Sequence, residues 1–373
     1  MKYYIIAGEA SGDLHGSNLI KELNKLDQNA EVRAWGGDLM QSVGATLVKH
    51  IRDLAFMGFL EVLLNLGTIF KNITFCKKDV LAFQPDVLIL IDYPGFNLRI
   101  AEWAHKKGIK VHYYISPQIW AWKQNRGHKI KKYVDKMFVI LPFEKEFYKK
   151  FDMDVDFVGH PLLDAVEQFQ SEKLSFQRFT EQNKLDEKPI IALLPGSRKQ
   201  EIEVMLPQFL EMVPQFPDYQ FVIAGAPAQT PEYYRDVSKE SKVRLIFGKT
   251  YNLLMHSSAA LVSSGTATLE TALFRVPEVV CYKGGWISYY LARMLIKVRF
   301  ISLVNLIVNR EIVTELIQGD FNSKRLKKEL QAILKDNNRR EELMGNYDTL
   351  IQKLGGKGAS SNAARLITED LNP

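Results

Sequence analysis

The sequence predicts an α/β protein made of two doubly wound domains, each a parallel sheet covered by helices on both faces. Three observations carry that reading. Short, wholly apolar runs alternate with helical stretches along most of the 373 residues, as strands buried on both faces require. The alternation stops at a polar stretch, residues 167–188, and then restarts. Each half also holds a strand that feeds a glycine-bearing turn and a helix start. These are Gly8-Glu9-Ala10-Ser11-Gly12-Asp13 in the first half and Ser264-Gly265-Thr266-Ala267-Thr268-Leu269-Glu270 in the second.

In the first half, residues 3–7 read as a strand and 14–26 as a helix with Leu19, Leu23 and Leu26 on its apolar face. Further strands are predicted at 32–35, 46–48, 87–91, 111–115, 137–141 and 155–158, with helices at 98–107 and 144–149. The polar stretch carries one short helix. The second half has strands at 190–194, 220–224, 243–246, 260–262 and 278–282. A helical region with two prolines spans 201–216, and helices begin near Tyr251 and Thr266. A charged helical tail at 323–354 is broken by the glycines of 355–358 and followed by a last helix at about 360–371. The predicted divisions are 1–165, a connecting segment 166–188, a second domain 189–345, and C-terminal helices 346–373.

Composition narrows the class. A hydrophobic share of 46% with 25% charged residues excludes a disordered chain. Cys76 and Cys281 lie far apart and outside any ligand-spaced cluster, which excludes a disulfide scaffold and a cysteine metal site. No signal-peptide pattern precedes the first strand, so a cytoplasmic chain is expected. The net charge of +6 suits a phosphorylated substrate or an anionic bilayer. With no arginine-rich tail and no recognised module, no nucleic-acid partner is expected.

Candidate chemistry sits at strand ends. In the first turn, Ser11 or Asp13 can cap the helix, and the dinucleotide spacing G-x-G-x-x-G is absent. A plain capped turn and a ligand-facing loop both fit. Asp92 follows the apolar strand 87–91, where an acid points into the crevice of an open sheet and can take a proton from a hydroxyl. Helix capping is the alternative. In Pro195-Gly196-Ser197-Arg198, the arginine offers a donor fork to phosphate oxygens and Ser197 a neutral donor. In the second glycine turn, Ser264, Gly265, Thr266 and Thr268 suit a diphosphate and Glu270 suits ribose hydroxyls, against a plain capped helix. Gly159-His160-Pro161 reads equally as a hinge, and neither His15 nor His160 belongs to a metal motif.

Two segments look built for lipid. Residues 56–75 place Glu61, Asn65, Thr68 and Asn72 on one stripe and leave Phe56, Met57, Phe59, Leu60, Leu63, Leu64, Ile69 and Phe70 on an apolar surface. Residues 286–308 mix Trp286, Tyr290, Arg293 and Lys297 with aliphatic residues, which suits an anionic bilayer surface. A buried inter-domain or dimer core is the alternative.

In order, these motifs resemble the lipid-A-disaccharide synthase family, bacterial glycosyltransferases of the cytoplasmic face of the inner membrane. The resemblance rests on the two glycine turns, Met57-Gly58 with Glu61-Val62-Leu63, Ile91-Asp92-Tyr93-Pro94 with Phe96-Asn97, and Tyr114-Ile115-Ser116-Pro117 with Ile119-Trp120-Ala121-Trp122. It continues through Phe143-Glu144 with Phe147-Tyr148, Phe157-Val158-Gly159-His160-Pro161-Leu162, Leu193-Leu194-Pro195-Gly196-Ser197-Arg198 and Glu315-Leu316-Ile317-Gln318. It runs from about residue 3 to about 355.

The resemblance implies a GT-B fold, two Rossmann-like domains facing a central cleft. It implies inverting transfer of 2,3-diacylglucosamine from its UDP conjugate to the 6-hydroxyl of 2,3-diacylglucosamine 1-phosphate, with no cofactor and no bound metal. Asp92 matches the favoured base, with His15 and Glu9 beside it as further candidates. Ser11, Asn97, Ser197, Arg198, Ser264, Gly265, Thr266, Thr268, Glu270, Asn305, Glu315 and Gln318 fall to substrate and UDP. The chain departs from the family pattern at Gly95, where an acid is common, and lacks the usual prolines before Asn305 and at Thr314. The C-terminal helices either return to the first domain or exchange in a homodimer. Another GT-B enzyme of UDP-N-acetylglucosamine, a transferase or an epimerase, is the alternative, and a nonenzymatic nucleotide-sugar or acyl-lipid binder is a third reading.

Overall fold

The apolar runs form two parallel sheets in the computed structural model, which describes residues 1–53, 66–239, 241–285 and 298–372. The first compact unit comprises Met1–Pro161 and Gly355–Pro373, the second Leu162–Leu354. The first sheet contains β1 (Lys2–Ala7), β2 (Glu31–Gly36), β3 (Thr46–His50), β4 (Val87–Ile91), β5 (Val111–Tyr114), β6 (Lys136–Val139) and β7 (Asp156–Phe157). Their order is β3-β2-β1-β4-β5-β6-β7. β4 is buried along its whole length, which is why its sequence is uniformly apolar rather than alternating. The order reverses between β1 and β4, whose last residues Ala7 and Ile91 face each other in register. Such a reversal opens a crevice beyond the carboxyl ends of the two strands.

The second sheet contains β8 (Ile190–Leu194), β9 (Gln220–Gly225), β10 (Arg244–Phe247), β11 (Ser257–Ser263), β12 (Glu278–Tyr282) and β13 (Thr314–Ile317), in the order β10-β9-β8-β11-β12-β13. Its reversal falls between β8 and β11, so the arginine loop after β8 and the serine-glycine turn after β11 are neighbours.

Several predicted elements shift. The first helix starts earlier, at Ala10, and the helix after Asp92 begins at Pro94. Proline suits that place because the first turn has no use for its missing N–H. The charged tail is two helices, Ser323–Lys335 and Asn337–Lys353, because the Asp336 carboxylate accepts the Arg339 amide at 3.1 Å and starts a new helix. β13 and the helix Leu303–Val308 lie where no element was predicted.

The described part of the second lipid-like segment belongs to the core instead. Phe300, Val304 and Ile307 are buried, and the helix Leu303–Val308 packs on Thr266–Leu273 and Asn337–Lys353. In the first segment, Ile69 is half-buried on the helix Leu66–Phe83, and Phe70 is 57% exposed with the Arg99 guanidinium 5.7 Å from its ring. Phe56, Met57, Phe59, Leu60, Leu63, Leu64, Trp286, Tyr290, Arg293 and Lys297 lie outside the described residues. No helix among the described residues is long and apolar enough to cross a membrane.

The C-terminal helix Ala359–Leu371 packs on Ala10–Leu26 of the first unit. Gly355, Gly356 and Gly358 all adopt positive φ in the break before it, and a Cβ on Gly355 would stand 2.6 Å from the Phe157 ring. Ala363, Ala364 and Ile367 are fully buried there, and Asp370 meets Lys110 at 2.9 Å and His112 at 3.0 Å. Truncating Ile367→Ala should lower the unfolding free energy by about 2–5 kcal/mol through lost burial and the cavity left behind. Urea denaturation followed by tryptophan fluorescence measures it.

Candidate active site

The first crevice is built on a strained turn. Asp92 and Tyr93 both take left-handed backbone conformations, with φ of 41° and 47°. For residues bearing a Cβ this costs roughly 1–2 kcal/mol each, so something must hold the turn. The Asn97 amide group donates to the carbonyls of Asp92 at 2.8 Å and Ile91 at 3.2 Å. The Tyr113 hydroxyl donates to the Asp92 carbonyl as well. The Asp92 N–H donates to the Ile115 carbonyl at 3.3 Å. From the other side, the Tyr93 ring lies over Gly8, where a Cβ would come within 2.4 Å of it. Glycine at position 8 is therefore the residue that lets the β1 and β4 ends close up.

These contacts leave the Asp92 carboxyl half-buried near Glu9. Burial, and then the Glu9 charge, raise its pKa to about 6. Glu9 itself is exposed at the head of the helix Ala10–Leu26, as is Ser11. Burial lowers the His15 pKa to about 4, and burial followed by the His15 charge lowers His160 to about 3. His15 is then neutral at physiological pH but a poor proton acceptor. Of the candidate bases, Asp92 is the one whose shifted pKa approaches the operating range.

Two expectations for this crevice change. Asn97 is fully buried and its amide nitrogen donates to backbone carbonyls, so it clamps the turn that carries Asp92. Asp13 caps no turn of its own helix. Its carboxylate accepts the amides of Gly37, Leu39 and Met40 at 2.7, 3.1 and 3.1 Å and caps the helix Asp38–Ser42.

The second crevice is a pocket of about 390 Å³ at the β8/β11 reversal. Arg198, Ser197, Ser264, Gly265, Thr266 and Glu270 all line it. Gly196 turns the chain with φ of 111° and leaves room for Glu201. The Glu201 carboxylate accepts the amides of Ser197 and Arg198 at 3.1 and 3.3 Å. The Arg198 side chain is 73% exposed, and its guanidinium stands 3.9 Å from Glu201. Gly265 and Thr266 are exposed at the start of the helix Thr266–Leu273, where backbone amides lack helical acceptors. Glu270 accepts the Tyr251 hydroxyl at 2.9 Å, and burial raises its pKa. A second hollow, of about 310 Å³, shares Thr250 and Glu270 with the first and adds Lys249 and Tyr251. Sequence reading missed Thr250, Tyr251 and the loop of Ala226 and Pro227. The Gly225-Ala226-Pro227 break after β9 was the available signal.

Thr268, Asn305, Glu315 and Gln318 serve the framework. Thr268 is fully buried and donates to the Gly265 carbonyl at 2.8 Å. Glu315 accepts the amides of Ile301 and Ser302, both at 3.0 Å, and the Ser302 hydroxyl at 2.8 Å. Asn305 donates to Glu315 and to the Val313 carbonyl at 2.8 and 2.9 Å, and accepts the amides of Ile312 and Val313 at 2.8 and 3.1 Å. This frame fixes Ile301, whose carbonyl receives the Ser264 hydroxyl at 3.0 Å. Gln318 closes a two-way amide pair with Gly284 at 3.0 and 3.1 Å. Among the described residues, no group of three or more His, Cys, Asp or Glu stands together as a metal site.

Two doubly wound units, each with a sheet reversal at which an acid or an arginine with a helix start is placed, make up a GT-B fold. A likeness to solved structures shows the same fold. The UDP-GlcNAc 2-epimerase of Neisseria meningitidis bound to UDP-GlcNAc has a TM-score of 0.67 at 16% identity, covering 100% of both chains. The S. aureus MnaA–UDP co-structure has a TM-score of 0.69 at 14% identity, covering 100% of this chain and 97% of that one. The chain belongs to the lipid-A-disaccharide synthetase family, whose model matches residues 3–369. It is 41% identical to the lipid-A-disaccharide synthase of Syntrophus aciditrophicus, over 96% of this chain and 95% of that one. It is 37% identical to that of Geobacter metallireducens, over 98% and 96%.

Asn305 has no spare capacity, so Asn305→Ala should strand buried amides and cost at least about 2 kcal/mol of stability. Thermal denaturation with and without UDP measures the loss and shows whether the Ser264 turn loosens with it.

Proposed function

We propose that this chain transfers a 2,3-diacylglucosaminyl group from UDP to the 6-hydroxyl of 2,3-diacylglucosamine 1-phosphate, giving the β-1,6-linked disaccharide 1-phosphate and UDP. The observation that carries the assignment to residues is Asp92, a half-buried carboxyl at the β1/β4 reversal in a chain of this family. Asp92 takes the proton of the 6-hydroxyl as its oxygen attacks the donor anomeric carbon. The bond from that carbon to UDP breaks on the opposite face, and the diphosphate leaves with the electron pair. An α-linked donor thereby gives a β product.

The first unit takes the acceptor and the lipid side, and the second takes the UDP-sugar. Arg198 supplies charge to the leaving diphosphate, and the amides around Gly265 and Thr266 supply dipoles. Glu270 and the hollow beside Tyr251 suit the nucleoside end. The two substrates carry four acyl chains between them, and each buried methylene contributes about 0.8 kcal/mol. The apolar segment 56–75 supports peripheral attachment to the inner membrane and selection of acylated sugars. The match of the family model along nearly the whole chain favours this reading over an epimerase.

Purified protein in mild detergent, given both substrates and EDTA, should yield tetraacyl disaccharide 1-phosphate and UDP by mass spectrometry. No product from folded protein, with or without magnesium, would move the assignment to another UDP-sugar reaction. Asp92→Asn should reduce turnover by roughly 10²–10⁴ while UDP affinity stays as in the parent. Unchanged turnover would remove Asp92 from the role of base.

A further inference from the structure

The loop after β5 holds two cations that no carboxylate neutralises among the described residues. Lys123 and Arg126 bracket the turn into the helix Arg126–Tyr133. Two lysines of that helix are paired with carboxylates, Lys129 with Glu102 at 2.6 Å and Lys131 with Asp152 at 3.4 Å. Lys123 instead rests over the Trp122 ring at 4.1 Å, on a side chain 46% exposed. Burial, followed by the Arg126 charge, lowers its pKa. Two like charges held together favour a bound anion.

The turn holds its shape through its own hydrogen bonds. The Arg126 N–H donates to the Lys123 carbonyl at 3.0 Å, and the Gln124 side chain donates to the Trp120 carbonyl at 2.8 Å. The loop also follows the carboxyl end of β5. β5 is paired with β4, so the loop leaves from the strand ends that carry Asp92. The Tyr113 hydroxyl donates to the Asp92 carbonyl, and the charges of both Asp92 and Arg126 act on it.

We propose that Lys123 and Arg126 bind the phosphate monoester of the acceptor and so set its free hydroxyl against Asp92. The proposal rests on the acceptor reading of the first unit. It makes the pair a specificity device that distinguishes a phosphorylated sugar from the same sugar without phosphate.

The test uses the full chain and its Lys123→Ala, Arg126→Ala, Arg126→Lys and double Lys123→Ala/Arg126→Ala variants, with folding checked by circular dichroism. Turnover and equilibrium binding are measured with 2,3-diacylglucosamine 1-phosphate and with unphosphorylated 2,3-diacylglucosamine. The expected result is a rise of tenfold or more in KM and Kd for the phosphorylated acceptor in both alanine variants. Donor KM should not move, Arg126→Lys should recover part of the loss, and the double variant should no longer prefer the phosphorylated acceptor. A double variant that keeps the parent's preference overturns the proposal. Parent protein that binds the acceptor through this pair but makes no disaccharide overturns the transferase reading and leaves the pair standing. Sedimentation with phosphatidylglycerol vesicles separates the two sources of phosphate. Lost vesicle binding with an intact acceptor preference assigns the pair to lipid headgroups and overturns the proposal.

Discussion

The left-handed turn at Asp92 and Tyr93 is the constraint from which the first crevice follows. β4 is buried throughout, so on this side of the sheet a carboxylate stands beyond its last residue. There the chain must bend without covering the acid. Asn97 and Tyr113 grip the turn by its carbonyls, and Gly8 gives way to the Tyr93 ring. Together they offset a strain that neither Asp92 nor Tyr93 would bear in isolation. The same closeness of β1 and β4 sets Glu9 near Asp92, so geometry and electrostatics share one origin.

In the proposed reaction the second unit has a different problem, which is to hold an anion that comes and goes. Its donors are backbone amides and one exposed guanidinium. Glu201 occupies two of the amides, at Ser197 and Arg198. A diphosphate that used those amides would have to displace a like-charged group, so the uncovered amides at Gly265 and Thr266 are the easier anchor. The buried network of Asn305, Glu315 and Ser302 lies behind this turn and fixes it through Ile301 and Ser264. Rigidity behind the turn is carried by this buried network, which is how a site keeps its donors preorganised.

The sequence displayed the sheets because fully buried parallel strands have a one-note composition, and it displayed Asp92 and Arg198 because each follows such a strand directly. It could not display what the polar framework does. Asn97 and Asn305 look like ligands by residue type, and only the carbonyl positions created by the fold show them to be clamps. Asp13 reaches the amides of residues 37, 39 and 40, a contact made by the packing of two βα units rather than by local spacing. Residues 303–308 suit a bilayer surface or a buried core equally, because both select the same side chains, and the fold places them in the core. The break at Asp336 was legible in hindsight, as an N-cap within an otherwise continuous charged helix.

The pH dependence of kcat/KM in the parent chain and in Glu9→Gln tests the central claim most directly. Burial and the Glu9 charge place Asp92 near 6, so the carboxylate form prevails above that value and is lost as pH falls through it. Activity should therefore decline below about pH 6 along a single-proton limb. Removing the Glu9 charge should move that limb to lower pH without abolishing turnover. A profile that is flat through this range, or a limb that stays in place in Glu9→Gln, would contradict Asp92 as the base.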